Sequence, residues 1–146
     1  MFGKILVGFD GSPSAWRALR RAIQLAREHG AELWALSVEE PLPHYASAAE
    51  EVRAEESEAV AYFERLQADA RREAALHGLA LQTEAVRGHA AKAIVEYADQ
   101  IGADLIMVGQ HGHAGVLRRM LGSTSDRVVD TAHCSVLVVR GDEAPE

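Results

Sequence analysis

Two hydrophobic periods alternate along the chain, and the order in which they follow one another predicts the architecture. Ile5 to Phe9 is a short apolar run, and Asp10-Gly11-Ser12-Pro13 breaks it. A serine followed by proline suits an N-cap and the first helical position, so a helix is expected from there. Ala15, Leu19, Ala22, Ile23 and Ala26 then fall on one face of a 3.6-residue repeat, and Gly30 after His29 supplies the stop. Glu32 to Val38 reads as a second strand, and Pro41 and Pro43 end regular structure after it.

From about Ala48 to His77 the residues are mostly Ala, Glu and Arg, which predicts a long helix with Val52, Val60, Phe63, Leu66 and Ala70 on its inner face. Gly78 closes that helix, Leu81 to Val86 is a third strand, and Gly88 precedes a helix whose inner face is expected to be Ala90, Ile94, Tyr97, Ala98 and Ile101. Leu105 to Val108 and Val136 to Val139 are continuous apolar runs, the pattern of strands buried on both faces. Helical patterns between successive strands imply parallel neighbours, and so an α/β open doubly wound sheet of five strands with helices on both faces. No repeat or linker divides residues 1–146, which read as a single domain whose last residues, 141–146, form a frayed polar tail.

Composition narrows the function classes. At 146 residues and 48% apolar content the chain is sized for one core, and no apolar run approaches the roughly 20 residues that span a bilayer. The N-terminal apolar stretch is too short for a secretory segment, so a cytoplasmic site and no membrane contact are expected. A net charge of -7 opposes nonspecific contact with a phosphate backbone, which argues against nucleic acid. The single Cys134 excludes an internal disulfide and is expected to be a small buried hydrophobe. The seven histidines are scattered, and His111 and His113 lack a third ligand at a telling spacing, so no metal site is expected. The acidic cluster from Glu50 to Glu58 reads as a solvated helix face, and Trp16 and Trp34 as packing residues.

Candidate chemistry lies where open parallel sheets bind ligands, beyond the carboxyl ends of the strands. Three segments fall there: Gly8 to Ser12, Val38 to Glu40, and a glycine-rich stretch from Gly109 to Thr124 with the spacing G-x2-G-x9-G-S-T. Glycines at Gly109 and Gly112 permit positive φ and close approach to backbone, and Gly122-Ser123 opens a helix whose amides and dipole favour an anion. Ser123 and Thr124 add hydroxyls, and Arg118 or Arg119 add charge. The stretch lacks G-K-[ST] and is not a Walker loop. The same residues also admit a structural reading, in which the glycines serve turns and Ser123 with Asp126 forms a capping box.

These residues resemble the universal stress protein family, ATP-binding type: Phe9-Asp10-Gly11-Ser12, then Gly102 through Gly109, then Gly122-Ser123 and Cys134 through Val139. The resemblance implies the strand order 3-2-1-4-5 and bound ATP, with magnesium or manganese carried on its phosphates. It places Asp10 near base and ribose, the Val38 backbone at the adenine edge, Val108 and Gly109 beside ribose and phosphates, and Gly112, Gly122, Ser123 and Thr124 in the phosphate cradle. Gly8 and Phe9 line the same crevice.

Gln110-His111, then His113, stand where many relatives carry a polar-basic pair, so a pH-sensitive phosphate site is expected, testable by titrating nucleotide affinity against pH. The resemblance also implies a homodimer through the last strand, Val136, Leu137, Val138 and Val139. The expected function is a nucleotide-binding stress-response or signalling module with no catalytic residue assigned and at most slow ATP hydrolysis. The alternatives are a slow ATPase or phosphotransferase, and a nucleotide-free dimeric interaction module.

Overall fold

The computed structural model describes residues 1–40, 49–111 and 121–141, with 49–56 described by backbone alone. Its elements are β1 (Lys4–Gly8), α1 (Pro13–His29), β2 (Glu32–Glu39), α2 (Ala49–Leu76), β3 (Leu81–Arg87), α3 (Ala90–Ile101), β4 (Leu105–Gly109), α4 (Ser123–Thr131) and β5 (Ser135–Val139). The strands form one sheet in the order β3-β2-β1-β4-β5, and each neighbouring pair is parallel. This is the doubly wound α/β sheet expected from the sequence.

Local chemistry sets the first helix as anticipated. Ser12 Oγ accepts the Ala15 amide at 3.1 Å and Pro13 takes the first helical position, a cap of the kind that stabilises by about 1 kcal/mol. Period-two alternation in the strands then divides the core between the two faces of the sheet. Ile5, Val7, Leu33, Ala35, Leu105 and Met107 face α1 and α2, against Leu19, Ile23, Leu66 and Ala70. Leu6, Leu36, Ile106 and Val108 face α3 and α4, against Ile94, Ala98 and Val128. Burying each of the larger of these side chains contributes about 1.5–3 kcal/mol, so this alternation is the main force that sets strand register.

Several expected inner-face positions need correction. In α2 the inward stripe is Phe63, Leu66, Ala70 and Ala74, while Val60 is 56% exposed. At 100° per residue Val60 lies roughly 75° off the centre of that stripe, too far round to reach the sheet. Val52 lies among the residues whose side chains are not described. In α3 the buried residues are Ala91, Ile94, Val95 and Ala98. Tyr97 and Ile101 only pack at the rim of the core, and Ala90 is half-buried at the first turn. Cys134 is half-buried rather than enclosed. Burial, then the carboxylates of Asp99 and Asp104, push its thiol pKa up, so it stays protonated at neutral pH and is a poor nucleophile.

The chain winds from β1 through β2 to β3 on one side, then returns to lay β4 and β5 on the other. The reversal falls between β1 and β4. Connections leave that gap toward opposite faces, and a crevice opens at the carboxyl ends of the strands.

Candidate functional site

The crevice is a shallow cleft of about 80 Å³ that opens to solvent. Gly8, Phe9 and Asp10 enter it from the end of β1, Leu36 and Val38 from β2, and Val108, Gly109 and His111 from β4 and the residues after it. Ala15 of α1, Ala90 and Ile94 of α3, and Thr124 and Ser125 of α4 complete the wall. Eight of the expected residues therefore meet in one place: Gly8, Phe9, Asp10, Val38, Val108, Gly109, His111 and Thr124. Gly122 and Ser123 stand just before Thr124 at the start of α4, outside the lining itself. Gly112, His113, Arg118 and Arg119 lie outside the described residues.

At the apolar end, the β2 backbone presents an edge. The Phe9 amide donates to the Leu36 carbonyl at 2.9 Å, and the Gly88 amide to the Glu39 carbonyl at 3.0 Å. In a parallel strand the peptide groups of alternate residues face alternate neighbours. The Val38 N–H and C=O therefore point to the β1 side, as those of Leu36 do, but β1 has ended at Gly8. There the Phe9 carbonyl accepts the Ser37 hydroxyl at 2.8 Å. A donor and an acceptor from one residue thus face the space beyond β1, floored by Leu36 and Ile94.

Asp10 is held in a tight turn, in which one of its carboxylate oxygens accepts the Ser12 amide at 2.9 Å. Gly11, next in the turn, has φ of 80° and lies against Leu66 and Tyr62, so a side chain there meets both strain and a clash. Phe9 packs edge-on to Trp16 with ring centroids 4.9 Å apart, which confirms Trp16 as a packing residue.

At the polar end, α4 begins at Gly122 as N-cap, in extended conformation with φ of -64°, and no side chain among the described residues caps the helix. The capping box expected between Ser123 and Asp126 does not form, because Ser123 is already the first helical residue and Asp126 is exposed. The first intrahelical bond runs from the Asp126 amide to the Gly122 carbonyl at 2.9 Å, which leaves the amides of Ser123, Thr124 and Ser125 without an intrahelical acceptor. Two backbone bonds fix where this helix starts: Gly122 N–H to the Gln110 carbonyl at 2.7 Å, and Gln110 N–H to the Val139 carbonyl at 3.1 Å. The buried Ser125 hydroxyl donates to the Gly109 carbonyl and ties α4 to the end of β4. Ser125 went unassigned at the sequence level, although the run Ser123-Thr124-Ser125 carries the signal, because only its depth separates it from its neighbours.

Gly109 has a different reason from the expected one. It is the last residue of β4, and a Cβ there would lie 2.3 Å from Ser14 Oγ, so its bare backbone admits α1 rather than positive φ. Gly8 similarly leaves room for Ile94, whose Cδ1 stands 2.8 Å from the place of the missing Cβ. His111 donates its backbone N–H to Ser14 Oγ at 3.1 Å, and its Nδ1 is shielded from solvent with no hydrogen-bond partner among the described residues.

Other candidate chemistry disperses. His29 accepts the Phe2 amide, His77 faces Glu73, and His133 faces Asp99. Among the described residues no group of three His, Cys, Asp or Glu is placed to hold a metal ion. None of the described helices is long and apolar enough to cross a membrane.

Comparison with known proteins gives this crevice its context. Residues 1–140 match the family model of the universal stress proteins. Universal stress protein MJ0531 of Methanocaldococcus jannaschii is 35% identical, over 96% of this chain and 83% of its own length. The universal stress protein UspA of Lactobacillus plantarum superposes with a TM-score of 0.84 at 33% identity, covering 94% of this chain and 97% of that one. A universal stress protein solved in complex with cAMP superposes with a TM-score of 0.74 at 28% identity, over 95% of this chain and 97% of its own. With a family match across nearly its whole length and the same sheet order beneath it, the chain belongs to the universal stress protein family.

Proposed function

We propose that this protein binds an adenine nucleotide, ATP in the first instance, as a stress-response or signalling module of the cytoplasm, and that it turns the nucleotide over slowly if at all. The single observation that carries this reading is the start of α4 at the crevice, which no side chain among the described residues caps. Three successive amides and the positive end of the helix dipole meet there, an arrangement that favours a phosphate group. The opposite end suits a base: the N–H and C=O of Val38 match the ring nitrogen and exocyclic amine of adenine in hydrogen-bonding sense, and Leu36 and Ile94 offer apolar contact. Asp10, oriented by Ser12, is the acceptor for a ribose hydroxyl. The relative solved with cAMP supports a nucleotide as the ligand class.

Magnesium or manganese would arrive on the phosphates, keeping most of its waters. Mass spectrometry of small molecules released from denatured purified protein should find an adenine nucleotide. Calorimetric titration with ATP, AMP and cAMP then ranks the ligands. Absence of any released nucleotide, with no heat at millimolar ligand, would overturn the reading. A fast turnover abolished in both Asp10→Ala and Ser123→Ala would favour the enzyme instead.

A homodimer through β5 belongs to the same proposal. Among the described residues β5 pairs only with β4, and Val136, Leu137 and Val138 are half-buried where Val139 is covered. An apolar strand edge of this kind invites pairing with a second copy. Light scattering at micromolar concentration should give twice the monomer mass, and a Val138→Lys variant should give the monomer. Monomeric wild-type protein would contradict the dimer.

A further inference from the structure

Two helices aim their amino ends at the one crevice, through Ala90 of α3 and through Thr124 and Ser125 of α4, and they are finished in opposite ways. Both lack a cap from their own N-cap residue, His89 in α3 and Gly122 in α4. At α4 no side chain among the described residues replaces it. At α3 a carboxylate does: Glu40, the first residue after β2, accepts the Ala90 amide at 3.1 Å across 50 positions of sequence.

Charge explains why this matters. A helix start attracts anions, and each of these two would draw a phosphate. The first turn of α3 carries no acid of its own, and the cations around it face carboxylates: Lys92 meets Glu96 at 3.8 Å and Arg87 meets Glu39 at 3.7 Å. His89 is exposed. Glu40 is therefore the anion that occupies the α3 start, and its charge repels a second one. Asp126, in the first turn of α4, is exposed and forms no part of the crevice wall, so it does not play the same part there.

We infer that Glu40 is a positioning residue for the nucleotide site: by filling the α3 start it confines the ligand's phosphates to α4 and leaves the Val38 end to an uncharged, hydrogen-bonding group. The inference rests on the nucleotide reading above and sharpens it. The ligand class it selects is a molecule with one anionic end and one neutral planar end, and it selects against an anion at both ends.

Inorganic pyrophosphate, which has no base, tests the point when it is followed by backbone amide NMR shifts in wild type, Glu40→Ala and Glu40→Gln. The glutamine variant keeps an oxygen for the Ala90 amide while removing the charge, so it holds the fold should alanine loosen it. In wild type, pyrophosphate should shift the amides of Ser123, Thr124 and Ser125 and leave Ala90 still. In both variants Ala90 should shift as well, with affinity at that end raised about threefold to tenfold, while adenosine affinity stays within about twofold of wild type. A purely structural cap would not produce that split. If Ala90 ignores pyrophosphate in both variants while the α4 amides respond, the role given to Glu40 is wrong and the nucleotide site stands. If the α4 amides ignore both pyrophosphate and ATP in wild type, both readings fall together.

Discussion

At the amino end of the sheet, Asp104 accepts the amides of Gly3 and Lys4 at 2.9 and 3.0 Å, Lys4 Nζ donates to the Ile101 carbonyl at 2.7 Å, and the Phe2 amide donates to His29 Nδ1 at 2.9 Å. At the carboxyl end, the Val38 peptide edge and the first turn of α4 face an open crevice instead. The same kinds of group are thus closed by the protein's own side chains at one end and left to solvent or a ligand at the other. The contrast separates two settings of polar groups: those that hold the fold bond within the chain, and those at the strand ends face a crevice that is open to water.

The strongest way to break this contrast is to alter the backbone that shapes the crevice. Gly109→Ala puts a Cβ 2.3 Å from Ser14 Oγ and 2.6 Å from its carbonyl oxygen, and backbone cannot swing aside. A loss of about 2–3 kcal/mol is expected by urea denaturation, and wild-type stability would show that α1 and β4 are not held so closely. Ser123→Pro tests the open end alone. Proline is tolerated at the first helical position, and Gly122, with ψ of 159°, already has the extended shape a residue before proline prefers. The helix should keep its stability to within about 0.5 kcal/mol. Nucleotide affinity should fall about tenfold with the loss of one amide donor to phosphate. Equal affinity would show that this amide does not meet the ligand.

Asp104→Asn tests the closed end. It should cost about 1 kcal/mol at neutral pH and leave nucleotide affinity unchanged. The pH dependence has a definite sign. Hydrogen bonds from Gly3 first, then Lys4, lower the Asp104 pKa in the folded state. Its contribution is therefore complete above the unfolded carboxylate value of about 3.9 and is lost as pH falls through the lowered folded value. Thermal melts from pH 6 to pH 3 should show a shallower acid loss in the variant than in wild type, and parallel curves would remove Asp104 from the account. The smallest effect is expected from Val60→Ala, within about 0.5 kcal/mol because the side chain is exposed, against about 2–4 kcal/mol for Leu66→Ala one turn and a half further on.

The sequence was informative wherever a rule acts over a few neighbouring residues. Strand and helix order, the Ser12-Pro13 start of α1, and the helix stop at Gly30 all follow from local propensity and capping, and all are found. The crevice residues were legible to the extent that strand ends in a parallel sheet must lie together, which brought Asp10, Val38 and Gly109 into one wall. Helix faces were less so. Val60 and Ala74 both fit an amphipathic repeat in α2, and only the angle at which the helix meets the sheet decides that Ala74 is buried and Val60 is not.

Tertiary structure alone settled the features that depend on distance between segments far apart in the chain. Glu40 reaches Ala90 across 50 positions, and Asp104 reaches Gly3 across 101. No local pattern encodes either contact. Gly109 is glycine because of Ser14 on another element, although its place in a glycine-rich run suggested a phosphate loop. The amino-acid pattern determined which elements form and in what order, since burial and hydrogen bonding within a segment are short-range forces. Which polar groups end up satisfied and which face the crevice depended on packing the finished elements together, because only then does a side chain find, or fail to find, a partner from elsewhere.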